Sequence, residues 1–411
     1  MIGERPTASV RRGLEVLSGG LSGQAAEGLS AGVPLQVAAG GEQPWDRDRR
    51  LWWMLWSACP GVGWVRLGQL ERRFGSLAEA WLARSSHFTE LAGIGPAWCT
   101  AFEAYRARWG RRPLLRWAEQ VRGGRRVLLP GDPAMPPAMA SLERPPTALH
   151  WTGCGSSWPL LARRRAVAIV GTRRPSRHGL AMADALGVAL AQAGWPVVSG
   201  LADGIDAAAH RGCLRAGGRP VAVLGTPLER VYPSHHQELQ AAVRDQGLLI
   251  SEQPPGCAVS AGHFAARNRL LVALSRAVVL VECPERSGAL HSAGLAWEQQ
   301  LPLWVVPADA ARISARGSNG WLAKGASLLL EPAALIRHLG AGPLPPTGAG
   351  RAPCAGAEAD AALLEALNRS ASLEQLCQSL QSPAAALAPR LLALEMAGVI
   401  RAEPGLHWRR L

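Results

Sequence analysis

Six short apolar runs set the terms for the middle of this chain: AVAIV (166–170), WPVVS (195–199), PVAVLG (220–225), GLLIS (247–251), AVVLVE (277–282) and LPLWVVP (301–307). Between them lie Ala- and Leu-rich stretches of helical length. A strand that is apolar at nearly every position is covered on both faces, and strands alternating with helices build βαβ units. The expected fold class is therefore α/β, a Rossmann-like, doubly wound parallel sheet. Ligands of such sheets bind outside the carboxyl ends of the strands, so the residues that follow each run are where function is expected.

A chain of 411 residues exceeds one hydrophobic core, and two or three domains are expected. Residues 1–44, rich in Gly, Ser and Ala without a sustained period, read as a disordered tail. Residues 45–120 read as a helical domain, with Trp and Leu at three- and four-residue steps in LWWMLWSA and LAEAWLA. Its turns Gly61-Val62-Gly63 and Gly93-Ile94-Gly95 fit a SAM-like or helix-hairpin-helix-like unit, whose glycines let amides at a helix start approach a phosphate. They fit plain packing turns equally well. Residues 121–340 form the α/β domain and 341–356, rich in Gly and Pro, a linker. Residues 357–411 read as a winged-helix domain: two helical stretches around Ser372–Leu376 and Ser382-Pro383, then GVIRAEPGLHWRRL.

An excess of 44 Lys+Arg over 31 Asp+Glu gives a net charge of +13, which suits a polyanionic partner. A single lysine, Lys324, among abundant Arg, Ala and Gly fits a G+C-rich coding sequence as well. Most of the excess precedes residue 165, and the segment from 341 is balanced, which argues against DNA contact by the winged-helix domain. The eight cysteines form no C-x-x-C pair and no His-spaced zinc pattern, so they read as reduced thiols of a cytoplasmic protein. No apolar run reaches the roughly 20 residues of a membrane helix, so no membrane partner is expected.

The first strand and its exit, AVAIVGTRRPSRHG (166–179), hold the densest signal. Gly171 leaves the strand without a Cβ, Thr172 offers a hydroxyl and an amide, and Arg173 and Arg174 place guanidinium groups where a phosphate would meet the next helix. The pattern is not the dinucleotide fingerprint, and the second strand ends in SGLADGID (199–206) without its acidic terminus. Phe264, with Arg267, Asn268 and Arg269, offers a base-stacking face and cations, the two needs of a single-strand binder; burial in the core is the other reading of Phe264. Asp206 reads as a helix N-cap or the partner of an arginine. His210 reads as a packed histidine and His235-His236 as a solvated helix start, and no pair of these is expected to hold a metal.

VVSGLADGIDAAAH (197–210), VAVLGTPLERVYP (221–233), LLISEQPPG (248–256), GHFAARNRLLVALS (262–275), ECPERSGALHSAGLAWEQ (282–299) and RGSNGWLAKGA (316–326) together resemble, in order, the motifs of the DprA/Smf (DNA-processing protein A) family. The resemblance is close over about 125–335 and looser at both ends. It implies a homodimer that binds single-stranded DNA non-specifically, protects it and loads RecA onto it in natural transformation, with no cofactor and no catalysis. It places the phosphate grip on Gly171, Thr172 and Arg173, a second turn on Ser199, Gly200, Gly204 and Asp206, and further contacts on Phe264, Arg267, Asn268 and Arg269. Three departures stand out: Asp203 where a basic residue is common, Ala265-Ala266 after the aromatic, and His291-Ser292. A nucleotide-sensing protein and a phosphoribohydrolase-like enzyme are the alternatives. The second would need a P-G-G-x-G-T-x-x-E loop, and Pro284–Leu290 reads PERSGAL.

Overall fold

The computed structural model describes residues 45–121, 126–345, 357–367, 370–396, 399–403 and 407–410. The tail expected over 1–44 and most of the expected linker, 346–356, lie outside the described residues.

The α/β domain is built on nine strands: β1 (Arg126–Leu128), β2 (Leu149–Gly153), β3 (Val167–Val170), β4 (Val197–Ser199), β5 (Pro220–Leu224), β6 (Leu248–Ser251), β7 (Ala277–Leu280), β8 (Leu303–Val305) and β9 (Ser327–Leu328). Their order in the sheet is β1-β2-β6-β5-β4-β3-β7-β8-β9. The seven strands from β6 to β9 are parallel; β1 and β2 add an antiparallel edge. All six apolar runs are strands of the expected doubly wound parallel sheet, and the antiparallel edge is an addition to it. The short β1 and the sequence LHWTG of β2 are only partly buried and so lack the continuous apolar signature of the interior.

Both faces of the sheet are covered, which explains the runs. Ala168 and Val170 of β3 pack in one core with Val278 and Leu280 of β7 and Ala293 of the helix Gly288–Glu298. Val167 and Ile169 pack in another, with Leu186 and Leu190 of the helix Arg177–Gln192 and Ala209 of Ile205–Arg215. Each residue along β3 thus switches cores, the period of two that a pleated strand imposes. The chain winds outward from β3 through β4 to β6, then returns to start β7 on the other side of β3. The switch point lies between these two central strands, and their carboxyl ends diverge there to leave a crevice.

The amino-terminal helices carry a core of their own, dominated by aromatic rings: Trp56 stacks on Phe102 at 4.8 Å and meets Trp81 edge-on at 5.4 Å. Leu129 and Ala148 join that core, and Trp53 Nε1 donates to the Thr147 carbonyl at 2.7 Å, so the helices seat against the β1–β2 edge. The two Gly-x-Gly turns come together. Arg66 donates to the carbonyls of both Gly61 and Gly93, while Val62 and Ile94 are buried. This is the geometry of packing turns.

At the other end, the helices Ala357–Ala366, Leu373–Ser379 and Ala384–Met396 pack on a small sheet of β10 (Ala371–Ser372), β12 (His407–Arg410) and β11 (Ile400–Glu403). Ser372 and Gln375 form a reciprocal capping box that fixes the start of the second helix. The result is a winged helix with its own leucine-rich core. Among the described cysteines, six are free thiols and Cys154 is disulfide-bonded, which corrects the reading of all as reduced.

Candidate nucleic-acid interface

A cleft of about 1000 Å³ opens at the switch point. Its wall on the β3 side is Gly171 to Arg174. The opposite wall comes from the helices Ala261–Ala266 and Asn268–Ala273, and the amino end of the helix Gly288–Glu298 closes it.

The β3 exit is held in place from behind. Glu282, buried at the end of β7, accepts from the Ser176 amide at 3.0 Å and the Ser176 hydroxyl at 2.7 Å, and its other oxygen accepts from Ser314 Oγ. Ser176 in turn caps the helix Arg177–Gln192 through the Gly179 amide. The Thr172 amide donates to the Glu282 carbonyl at 2.7 Å, and Thr172 Oγ1 accepts from the Arg174 amide. A Cβ at Gly171 would meet Ile205 at 2.6 Å, so only glycine lets the turn lie so close to the next helix. With the backbone tied down, Arg173 and Arg174 project into solvent. The Arg173 guanidinium lies over the Phe264 ring at 5.6 Å, and Tyr232, 44% exposed, packs on the same ring at 4.9 Å. Phe264 is half-buried, so the ring is shared between support and open face.

Beneath them Arg267 is buried at the cleft floor. One guanidinium nitrogen donates to the Val223 carbonyl, another stands 3.8 Å from Asp206, and Nε has no partner among the described residues. Burial is the main reason its pKa falls to about 10, partly offset by Asp206. Burial pushes the Asp206 carboxyl up, against Arg267 and the amides of Ala202 and Gly200. Ser292 Oγ is a second buried polar atom in the lining without a partner among the described residues. Buried polar groups left unpaired inside a cleft are groups that a ligand can satisfy.

The structure therefore brings Gly171, Thr172, Arg173, Arg174, Asp206, Phe264, Arg267 and Asn268 to one cleft. It does not bring Ser199, Gly200, Gly204 or Arg269 to that lining. Ser199 Oγ donates to the Ile169 carbonyl and is fully buried. Gly200 leaves room for the Arg267 guanidinium, which a Cβ would meet at 1.8 Å. Gly204 turns at φ +77°, packed against the Thr172 carbonyl. Arg269 makes a two-pronged pair with Glu252 at 2.6 and 2.7 Å and lines a different cavity, beside Arg144, Arg164 and Glu298. Its charge is spent there, so the expected arginine track from 173 to 269 is not continuous. Asp203 is absent from the lining as well; it faces His235 and His236. His236 is buried, which corrects its reading as solvated, and His210 is buried as expected.

Two lining residues and one supporting residue escaped the sequence reading or were passed over in it. Arg286 is exposed at the mouth, Ser287 caps the helix Gly288–Glu298, and Glu282 sits behind the β3 exit. The PERSGAL segment did hold the signal, a basic residue and a capping serine directly ahead of a helix after a buried strand. Among the described residues no helix is long and apolar enough to cross a membrane.

The sequence model of the DNA recombination-mediator protein A family matches residues 126–340, and that of the DprA winged helix domain matches 347–405. Protein Smf of Synechocystis sp. is 35% identical over 72% of this chain and 74% of its own length. Protein Smf of Escherichia coli is 31% identical over 67% of this chain and 74% of its own. The X-ray structure of DNA processing protein A from Streptococcus pneumoniae shares the fold, with a TM-score of 0.58 at 23% identity over 71% of this chain and 97% of that one. With the α/β domain and the winged helix matched in turn by these two models and relatives at 31–35% identity over two thirds of its length or more, this chain belongs to the DNA recombination-mediator protein A (DprA/Smf) family of DNA-processing proteins.

Proposed function

We propose that the chain binds single-stranded DNA without sequence preference in the switch-point cleft, shields it, and passes it to the RecA recombinase, acting as a homodimer and without catalysing a reaction. One observation carries this reading: an exposed guanidinium, Arg173, lies over a half-open aromatic ring, Phe264, with Arg174 and Arg286 exposed around the same cleft. A splayed base has a π-face for such a ring, and its phosphates have the arginines and the helix amino end. The aromatic pair is too exposed and too close to charge for a purely packing role.

Fluorescence anisotropy with labelled oligo-dT tests it. Binding should be tighter to oligo-dT than to duplex, and log K should fall with log salt by about 0.7 per phosphate neutralised. Phe264→Ala should cost about 1–3 kcal/mol of affinity, the value of one stacked base. Arg173→Ala should weaken binding and flatten the salt slope by about 0.7. Unchanged affinity in both variants contradicts the proposal. Tight binding of a mononucleotide that oligo-dT cannot displace would favour a nucleotide sensor instead. The RecA step is tested separately, by whether the protein speeds filament assembly on DNA already coated with single-strand-binding protein.

A further inference from the structure

Beside the cleft, but outside its lining, three potential ligands converge from two loops. Asp203 stands in the turn after β4, and His235 and His236 lie in the single helical turn Ser234–His236, just after Tyr232. One ligand atom from each lies within 4.8 Å of the others.

The hydrogen bonding around His236 decides what these groups can do. Its ring is 2% exposed, and Nδ1 stands 3.0 Å from the Leu201 carbonyl. A carbonyl oxygen only accepts, so Nδ1 carries a proton, and in the neutral ring that burial favours Nε2 keeps a lone pair. That lone pair faces Asp203 Oδ1 at 3.4 Å, an acceptor opposite an acceptor. Two acceptors gain nothing from each other; a cation between them satisfies both. The arrangement also matches metal-bound histidine, whose second nitrogen is oriented by a backbone carbonyl.

We propose that Asp203, His235 and His236 bind one divalent ion of the zinc class, with a fourth position left to water. Zinc bonds of about 2.0–2.2 Å at a tetrahedral angle separate ligand atoms by roughly 3.4 Å. The distance between His236 Nε2 and Asp203 Oδ1 is 3.4 Å. His235 Nε2 is 2.8 Å from the same oxygen, in a hydrogen bond, and with a side chain 65% exposed it can swing outward to take its place. Two imidazoles and one carboxylate select zinc, cobalt or nickel over magnesium and calcium, which prefer all-oxygen sites. The ion would tie the Gly200–Gly204 turn to the segment bearing Tyr232, and so fix the ring that packs on Phe264 at 4.9 Å. This site does not depend on what the cleft binds.

Cobalt titration of the full chain, stripped of metal by chelator dialysis, tests it. One equivalent of Co²⁺ should give the visible d–d bands of a low-coordinate site without thiolate charge transfer, which separates it from the free cysteines. Zn²⁺ should displace the ion and Mg²⁺ should not. His235→Ala and Asp203→Asn, both at accessible side chains, should each lower the affinity about tenfold or more, on the scale seen when a metal site loses a supporting group. A spectrum with thiolate bands, an affinity untouched by both substitutions, or no bound ion, as when His236 simply takes a second proton and pairs with Asp203, would overturn the proposal.

Discussion

Arg267 holds its charge where water barely reaches it, with Asp206 at 3.8 Å and the Val223 carbonyl as its compensation. Such a pair contributes little net stability when intact, yet losing one partner strands the other. Asp206→Ala should therefore lower unfolding free energy by about 3–5 kcal/mol, measured by urea denaturation. Arg269 behaves differently: Arg269→Ala should leave the salt slope of DNA binding unchanged while lowering stability, because its guanidinium serves Glu252. His210 supplies a pH signature. Burial pushes its pKa down to about 3 from the ordinary 6.5, so between those values the unfolded chain takes up a proton that the native ring refuses. Its contribution is complete above pH 6.5 and is lost as pH falls toward 3, by about 1.4 kcal/mol per unit. Urea midpoints at pH 7 and pH 5 should differ less in His210→Gln than in the parent. The residue types of the cleft were readable from sequence, but the roles of the two arginines were not, because both are simply basic until burial assigns a partner.

At the scale of elements, helix periodicity explains why that run divides. Phe264, Arg267 and Asn268 are three and four positions apart and share a face, whereas Arg269 is turned a further 100° away. A sequence reading that treats Arg267 to Arg269 as one track overlooks this rotation. The six buried strands were legible because apolar residues on both faces leave a continuous run; the edge strands were not, β1 being short and both being only partly covered. The turn after β4 has its own demand. Gly204 has φ +77°, and a Cβ there would meet the Thr172 carbonyl at 2.4 Å, so the β3 exit and this turn are fitted to each other. Gly204→Ala should cost about 2 kcal/mol or more, seen as a lowered Tm, and should weaken DNA binding by displacing Thr172 and Arg173.

The chain from Gly340 to Leu344 still belongs to the α/β domain, since the Gly342 amide donates to Ala193 and Trp195 Nε1 to the Gly340 carbonyl. A chain ending at residue 345 should therefore keep its affinity for oligo-dT and its salt slope in anisotropy titrations. Fold class and family were readable because they rest on strand pattern and motif order. What the cleft holds depends on which side chains stay open after packing, and that is a property of three dimensions. The most direct test is photo-cross-linking of a thiothymidine oligonucleotide to the full chain, with the adducts mapped by peptide mass. The account predicts adducts on Phe264 or Tyr232; adducts confined to the tryptophan-rich amino-terminal helices or to the winged helix would contradict it.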